Sequence, residues 1–225
     1  MRRLNNLFPP QSMTPTLSSD TYFDLSNSSF KELFTKDRQV WEAIVHLDEY
    51  IASQFEQGHI QANYLDLPDV YVGAGTVIAA SAVIEGPAII GDGCTIGHGA
   101  YIRGGCVLGA GVHVGHAVEL KHSVILDDAS IAHLNYIGDS IVGARANVSG
   151  GAICANFRLD KKPVTIDISG QRISTAMEKF GAVIGDGCNV GVNAVLNPGT
   201  ILGKGCVVYP LQSATGTHEA GSVIR

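Results

Sequence analysis

From Val72 onward an aliphatic residue returns every six positions, at Val72, Ile78, Ile84, Ile90, Ile96, Ile102, Leu108, Val114, Leu120 and Leu126. Neither the 3.6-residue period of a helix nor the two-residue alternation of a strand produces that spacing. The position after an anchor is often glycine (Gly73, Gly91, Gly97, Gly109, Gly115), and the fifth place of the hexad is usually small (Thr76, Ala82, Ala88, Cys94, Ala100, Cys106). These features together predict an all-β solenoid, a parallel β-helix of hexapeptide repeats. Short strands alternate with turns, three hexads close one triangular coil, and the aliphatic side chains stack inside the prism.

The register slips near Ala132, where the next anchors are Ile137, Val142 and Val148, and it resumes at Ile184, Val190, Leu196, Leu202 and Val208. Between them, residues 155–181 do not conform. Val164, Ile166 and Ile168 alternate with polar residues before Ser169-Gly170, which predicts an inserted hairpin. Departures from a strict repeat are where a solenoid builds a site, because regular coils supply only a rigid wall. Ahead of the repeat, residues 28–56 carry Phe30, Phe34, Trp41, Ile44, Leu47 and Ile51 at helical spacing, with Ser28 or Ser29 as a cap. A helical cap over the open end of the prism would hide its unpaired strand edges. The expected organisation is an N-terminal helical or irregular segment over 1–65, the β-helix over 66–213 with its hairpin at about 155–181, and a C-terminal tail over 214–225.

The 27 glycines among 225 residues suit a chain that turns often. The balance of 15 basic against 21 acidic residues leaves no electrostatic footprint for nucleic acid or an anionic membrane, so small molecules or protein partners are expected. No stretch approaches the roughly 20 apolar residues needed to cross a bilayer, and the start (Met1, Arg2, Arg3, Asn5, Asn6) lacks the apolar core of a signal peptide. A cytoplasmic location is the expectation. Cys94, Cys106, Cys188 and Cys206 occupy the small fifth place and Cys154 an anchor position, so all five read as core residues rather than disulfides or metal ligands.

Five of the eight histidines (His98, His113, His116, His122, His133) lie within 36 residues, and the interval of 18 between His98 and His116 predicts that they stack at one corner. The γ-class carbonic anhydrases hold a metal with histidines on such a prism. Similarity to their pattern is weak, since His116 and His122 enclose five residues rather than four and Arg-Gly-Asp becomes Arg103-Gly104-Gly105. No metal is predicted, and a metal hydratase remains a minor alternative.

Arg103 and Lys121 share the second place of their hexads one coil apart, so they are expected on adjacent rungs roughly 5 Å apart. Two cations that close repel unless an anion lies between them or water screens them, which suggests a phosphate clamp. Downstream follow His133-Leu134-Asn135-Tyr136-Ile137-Gly138-Asp139, Asn147-Val148-Ser149-Gly150-Gly151 and Cys154-Ala155-Asn156-Phe157. With Val118-Glu119-Leu120-Lys121, these resemble the acetyltransferase domain of the bifunctional N-acetylglucosamine-1-phosphate uridyltransferase / glucosamine-1-phosphate N-acetyltransferase family over about residues 66 to 213. The inserted hairpin is most similar to the archaeal-type sugar-1-phosphate nucleotidylyltransferase/acetyltransferase variants.

The resemblance implies a left-handed β-helix and a homotrimer, with acetyl-CoA as co-substrate in the groove between two prisms and an amino-sugar 1-phosphate as acceptor. It implies that Arg103, Lys121 and Lys162 bind the sugar phosphate and that Tyr136 and Asn147 contact the sugar. Asn156 would position the amine or thioester, and Gly150, Val192 and Pro210 would contact the coenzyme. An amino group must lose a proton before it attacks a thioester, which makes His133 the candidate general base. Backbone N–H groups near Gly150-Gly151, or Asn156, would serve the oxyanion.

Three departures bear on substrate choice. About 65 residues before the prism cannot contain a nucleotide-binding domain, and no glycine-rich phosphate loop appears, so uridylyl transfer is not expected. Phe157 and Val192 stand where the bacterial family has tyrosine and serine, and Pro163 with the hairpin alters the surroundings of the sugar. The main alternative is a non-catalytic trimer that binds a sugar phosphate.

Overall fold

The hexapeptide repeat folds into a prism of three parallel sheets, here called faces A, B and C, with eight, eight and seven strands. This computed structural model describes residues 17–35, 37–168 and 170–225. The start of the chain from Met1 to Asn6 and Ser169 of the expected hairpin turn lie outside the described residues. Successive strands go to successive faces, as in Ala88–Ile90 on A, Thr95–Ile96 on B and Tyr101–Ile102 on C, so each face pairs strands one coil apart. This is the parallel β-helix that the repeat predicts, in the left-handed form that the resemblance implies. Inside it Ile96, Ile102, Leu108, Val114 and Leu120 are buried in one continuous core. Each such side chain contributes about 1.5–3 kcal/mol on transfer from water. All five cysteines are free and buried, and burial pushes the Cys106, Cys154 and Cys188 thiols up to about 12.

Pairing across the sheets shows how the coil length changes. Tyr101 pairs with Glu119, 18 residues on, but Glu119 pairs with Tyr136 and Tyr136 with Ile153, each only 17 on. The missing residue comes from the corner between faces C and A. Left-handed residues recur six apart at Gly105, Gly111 and Ala117, then His122 follows Ala117 by five and Asp139 follows Leu134 by five. The slip therefore begins at Lys121-His122, earlier than Ala132. The interior anchor after Leu120 is Ile125, and Leu126, expected inside the prism, is instead buried outside it.

The N-terminal segment packs along the flank of the prism rather than over its end. The outward residues of face A are apolar in coil after coil (Ile89, Val107, Val124, Ile141, Val183, Ile201), and they share one buried cluster with Tyr22, Phe23, Phe30, Phe34 and Trp41. Covering that side takes this apolar row out of water. The single helix expected over 28–56 is broken into a 3-10 turn at Lys31–Leu33 and two helices. Numbered with the first short helix, these are α1 (Ser19–Tyr22), α2 (Glu42–Val45) and α3 (Leu47–Glu56). Ser28 Oγ accepts the Phe30 N–H at 3.2 Å, closing a local turn instead of capping a helix.

The hairpin forms as expected, with Thr165–Ile168 antiparallel to Gln171–Ser174. It folds back onto face A, where Val164 and Ile166 join the same outer cluster, and a Phe157–Lys179 bridge staples its base. Beyond Ser213, Thr217–His218 and Val223–Ile224 carry faces A and B one strand further. Among the described residues, no helix is long and apolar enough to cross a membrane.

Candidate active site on face C and its two corners

Face C presents an outward row of polar residues, and each cation in it has its own carboxylate. Arg103 and Lys121 do lie on adjacent rungs. Arg103 Nη1, however, donates to Glu119 Oε1 at 3.1 Å, and Lys121 Nζ donates to both Asp139 oxygens at 2.8 and 2.9 Å. The predicted repulsion is relieved by carboxylates of the chain itself.

The two pairs differ in burial. Arg103 and Glu119 are 40% and 37% exposed, whereas Lys121 and Asp139 are 22% and 6% exposed. The first is a surface pair that a ligand anion can displace at little cost; the second is part of the structure.

Asp139 is the hub of the cluster. Besides Lys121 it accepts from Asn156 Nδ2 and faces His122 Nδ1 at 3.4 Å. Burial alone would push its carboxyl up, but the hydrogen bonds from His122, Lys121 and Asn156 and the Lys121 charge hold it below the ordinary 3.8. A lowered carboxylate stabilises the fold fully above its unfolded value, and that contribution is lost as pH falls through the folded value. Acidification below about pH 4 should therefore cost wild-type protein more stability than the Asp139→Asn variant. Urea midpoints at pH 6 and pH 3 check this; equal losses in the two proteins would refute it.

Asn156 Nδ2 also donates to the Tyr136 hydroxyl at 3.0 Å. That contact needs a glycine between them, since a β-carbon at Gly138 would lie 2.6 Å from Tyr136 Cζ and 2.7 Å from Asn156 Nδ2. The Tyr136 phenol is pushed up by burial and by Asp139. Arg103, Lys121, Tyr136 and Asn156 are thus drawn together.

His133 stands at the other edge of face C, at the corner with face B. It is exposed and pairs in register with His116, whose ring stacks on His98 at 5.3 Å and 7°. Corner carbonyls form a ladder: His116 O accepts from Leu134, His133 O from Gly151, Gly150 O from Asn193 and Val192 O from Leu211. His133, Gly150, Val192 and Pro210 consequently occupy one column along the prism. Asn147 lies on face B beside it, lining a groove of about 250 Å³ with Ser149, Tyr209 and Pro210. Lys162 is exposed on the insertion, and among the described residues no hydrogen bond or ion pair joins its side chain to the cluster.

Two of the expected oxyanion donors are already engaged. Gly151 N–H donates to His133 O at 2.8 Å, and the Asn156 amide is held by Tyr136 and Asp139. Among the described residues, no group of three or more His, Cys, Asp or Glu is placed to hold a metal ion.

Sequence reasoning missed Glu119, His122, Asp139 and Asn135 as site residues. Asp139 was discoverable as the residue 18 after Lys121. Asn135 is buried between His133 and Tyr136, where its amide donates to Ser149 O at 2.7 Å and Ala152 O at 3.0 Å and so fixes the turn joining them. Its neighbours in the chain gave no sign of that.

A parallel β-helix of hexads with this outward polar row defines a class, and the chain belongs to the hexapeptide-repeat acetyltransferases. The family described as GMPPB C-terminal domain matches residues 84–180, and the hexapeptide repeat of succinyl-transferase matches 181–209. The chain is 37% identical over 156 residues to YaiX of Escherichia coli K12, an uncharacterised acetyltransferase, covering 67% of this chain and 68% of that protein.

Two archaeal relatives align over a shorter stretch. One is the bifunctional sugar-1-phosphate nucleotidylyltransferase/acetyltransferase of Sulfurisphaera tokodaii, 39% identical over 39% of this chain and 22% of its own length. The other is the bifunctional protein GlmU of Methanococcus vannielii, 41% identical over 38% of this chain and 20% of its own. The matched region is about a fifth of each of these two proteins.

Proposed function

We propose that the protein is an acetyl-CoA-dependent N-acetyltransferase whose acceptor is an amino-sugar 1-phosphate, glucosamine 1-phosphate first, with His133 as general base. The observation that carries this reading is the arrangement along face C, a cationic and hydroxyl-bearing cluster at one edge and an exposed imidazole at the other. The similarity to a sugar-1-phosphate nucleotidylyltransferase/acetyltransferase supports the acceptor class.

In this reading the sugar phosphate binds Arg103 and Lys121 on their adjacent rungs, displacing Glu119 from Arg103, and Tyr136 orients the ring. His133 takes a proton from the amine as nitrogen attacks the thioester carbonyl. The tetrahedral intermediate collapses, the C–S bond breaks, and the thiolate leaves with the proton returned by His133. Acetyl-CoA lies along the column of Gly150, Val192 and Pro210, between two copies of the chain in a homotrimer. Lys162 reaches the phosphate from the insertion, and Asn147 reaches the sugar from face B.

Free-thiol release from acetyl-CoA tests the reading, with glucosamine 1-phosphate, galactosamine 1-phosphate and free glucosamine run alongside. Release that requires the phosphate supports it. Silence from folded protein with all three amines would favour a binding protein instead.

A further inference from the structure

We propose that His122 is a second phosphate-ligating residue beside Lys121, and that Asp48 of the N-terminal segment is the internal anion a phosphate monoester must displace. This rests on the acceptor class just proposed and adds two residues to it.

A pocket of about 430 Å³ opens at the shortened corner between faces C and A, lined by Asp48, Pro87, Gly104, Gly105, Lys121, His122 and Asp139. Lys121 spends two of its three N–H donors on the Asp139 oxygens, which leaves one for the pocket. His122 has its Nδ1 side against Asp139 Oδ1 and its Nε2 side against Asp48 Oδ1, each at 3.4 Å.

The two carboxylates are not equivalent. The Asp139 side chain is 6% exposed and fixed from beneath by Lys121 and Asn156, whereas that of Asp48 is 69% exposed and sits on the first turn of α3 at the rim. An exposed pair at 3.4 Å is worth little, so a phosphate dianion that meets both Lys121 and His122 replaces Asp48 readily.

The floor is built for close approach. Gly105 has φ 75°, and a β-carbon there would lie 3.1 Å from Asp48 Oδ1 and 3.3 Å from His122 Cγ. Arg103 is engaged with Glu119 on the neighbouring row. Residue 48 falls before the matched family region, which begins at residue 84, so this contribution belongs to the N-terminal segment of this chain.

Titration calorimetry on the full chain tests the proposal, with inorganic phosphate, glucosamine 1-phosphate, glucosamine, coenzyme A and 3′-dephospho-coenzyme A as probes. His122→Asn keeps a residue that tolerates the left-handed backbone at φ 46° and should weaken binding of both phosphate probes about tenfold. Asp48→Asn should tighten both about threefold. Glucosamine should bind no better to either variant than to wild type.

Unchanged phosphate affinity in folded His122→Asn protein, or weaker binding in Asp48→Asn, would overturn the proposal. Shifts confined to coenzyme A and absent from its 3′-dephospho form would overturn the assignment to the sugar phosphate. If both shifts occur with glucosamine 1-phosphate yet no thiol is released from acetyl-CoA, the subsite stands and the acetyl-transfer reading falls.

Discussion

Replacing Asp139 with asparagine should lower the stability of the fold by about 3 kcal/mol, the lower end of the cost of breaking a buried ion pair. The carboxylate is 6% exposed and receives Lys121, His122 and Asn156. Its removal leaves the Lys121 ammonium, itself only 22% exposed, without a counter-charge. For a chain of this length the thermal midpoint should fall by about 6–12 °C. A paired Lys121→Met/Asp139→Leu variant should recover much of that loss, because no unpaired charge stays behind. Scanning calorimetry of the three proteins measures this, and a midpoint within about 2 °C of wild type for Asp139→Asn would show that the cluster is a solvated surface network.

Replacing His133 with alanine should lower kcat about 10²- to 10⁴-fold and leave the Kd for glucosamine 1-phosphate near its wild-type value. The side chain is exposed, makes no hydrogen bond among the described residues and lies outside the Lys121 cluster, so its loss should not disturb the fold. Arg103→Ala should show the converse, a raised KM with a smaller change in kcat, because it removes binding common to ground and transition states. Thiol release followed over a range of sugar phosphate separates the two patterns. Full kcat in His133→Ala would remove the imidazole from the mechanism and direct attention to His122, the histidine with carboxylates on both sides.

Much of the architecture was legible because the constraint that creates it is local. A hexad must turn a corner, so the anchors, the small fifth positions and the glycines at turns repeat in the chain whatever lies next to them. The stacking of His98 on His116 and the core placement of all five cysteines follow from that register alone. Even the covered face left a trace: outward positions are apolar on face A (Ile89, Val107, Val124) and polar or small at several places on face B (Thr95, His113, Ser130). The error at Leu126 shows the limit. A six-residue interval satisfied the count, but the corner had already shortened, and a buried aliphatic residue there serves the outer cluster instead of the prism.

The coil, its approximate register and the residue types gathered on face C are legible along the chain because each recurs at fixed intervals, and the inserted hairpin because it interrupts them. How those residues pair is set only in three dimensions. Glu119 answers Arg103 from 16 positions away, Asp139 answers Lys121 from 18, and Asp48 answers His122 from a helix that shares no period with the repeat. Charge neutralisation and burial depend on distance in space. They were settled when the N-terminal segment covered face A and the shortened corner brought His122 and Asp139 beneath α3.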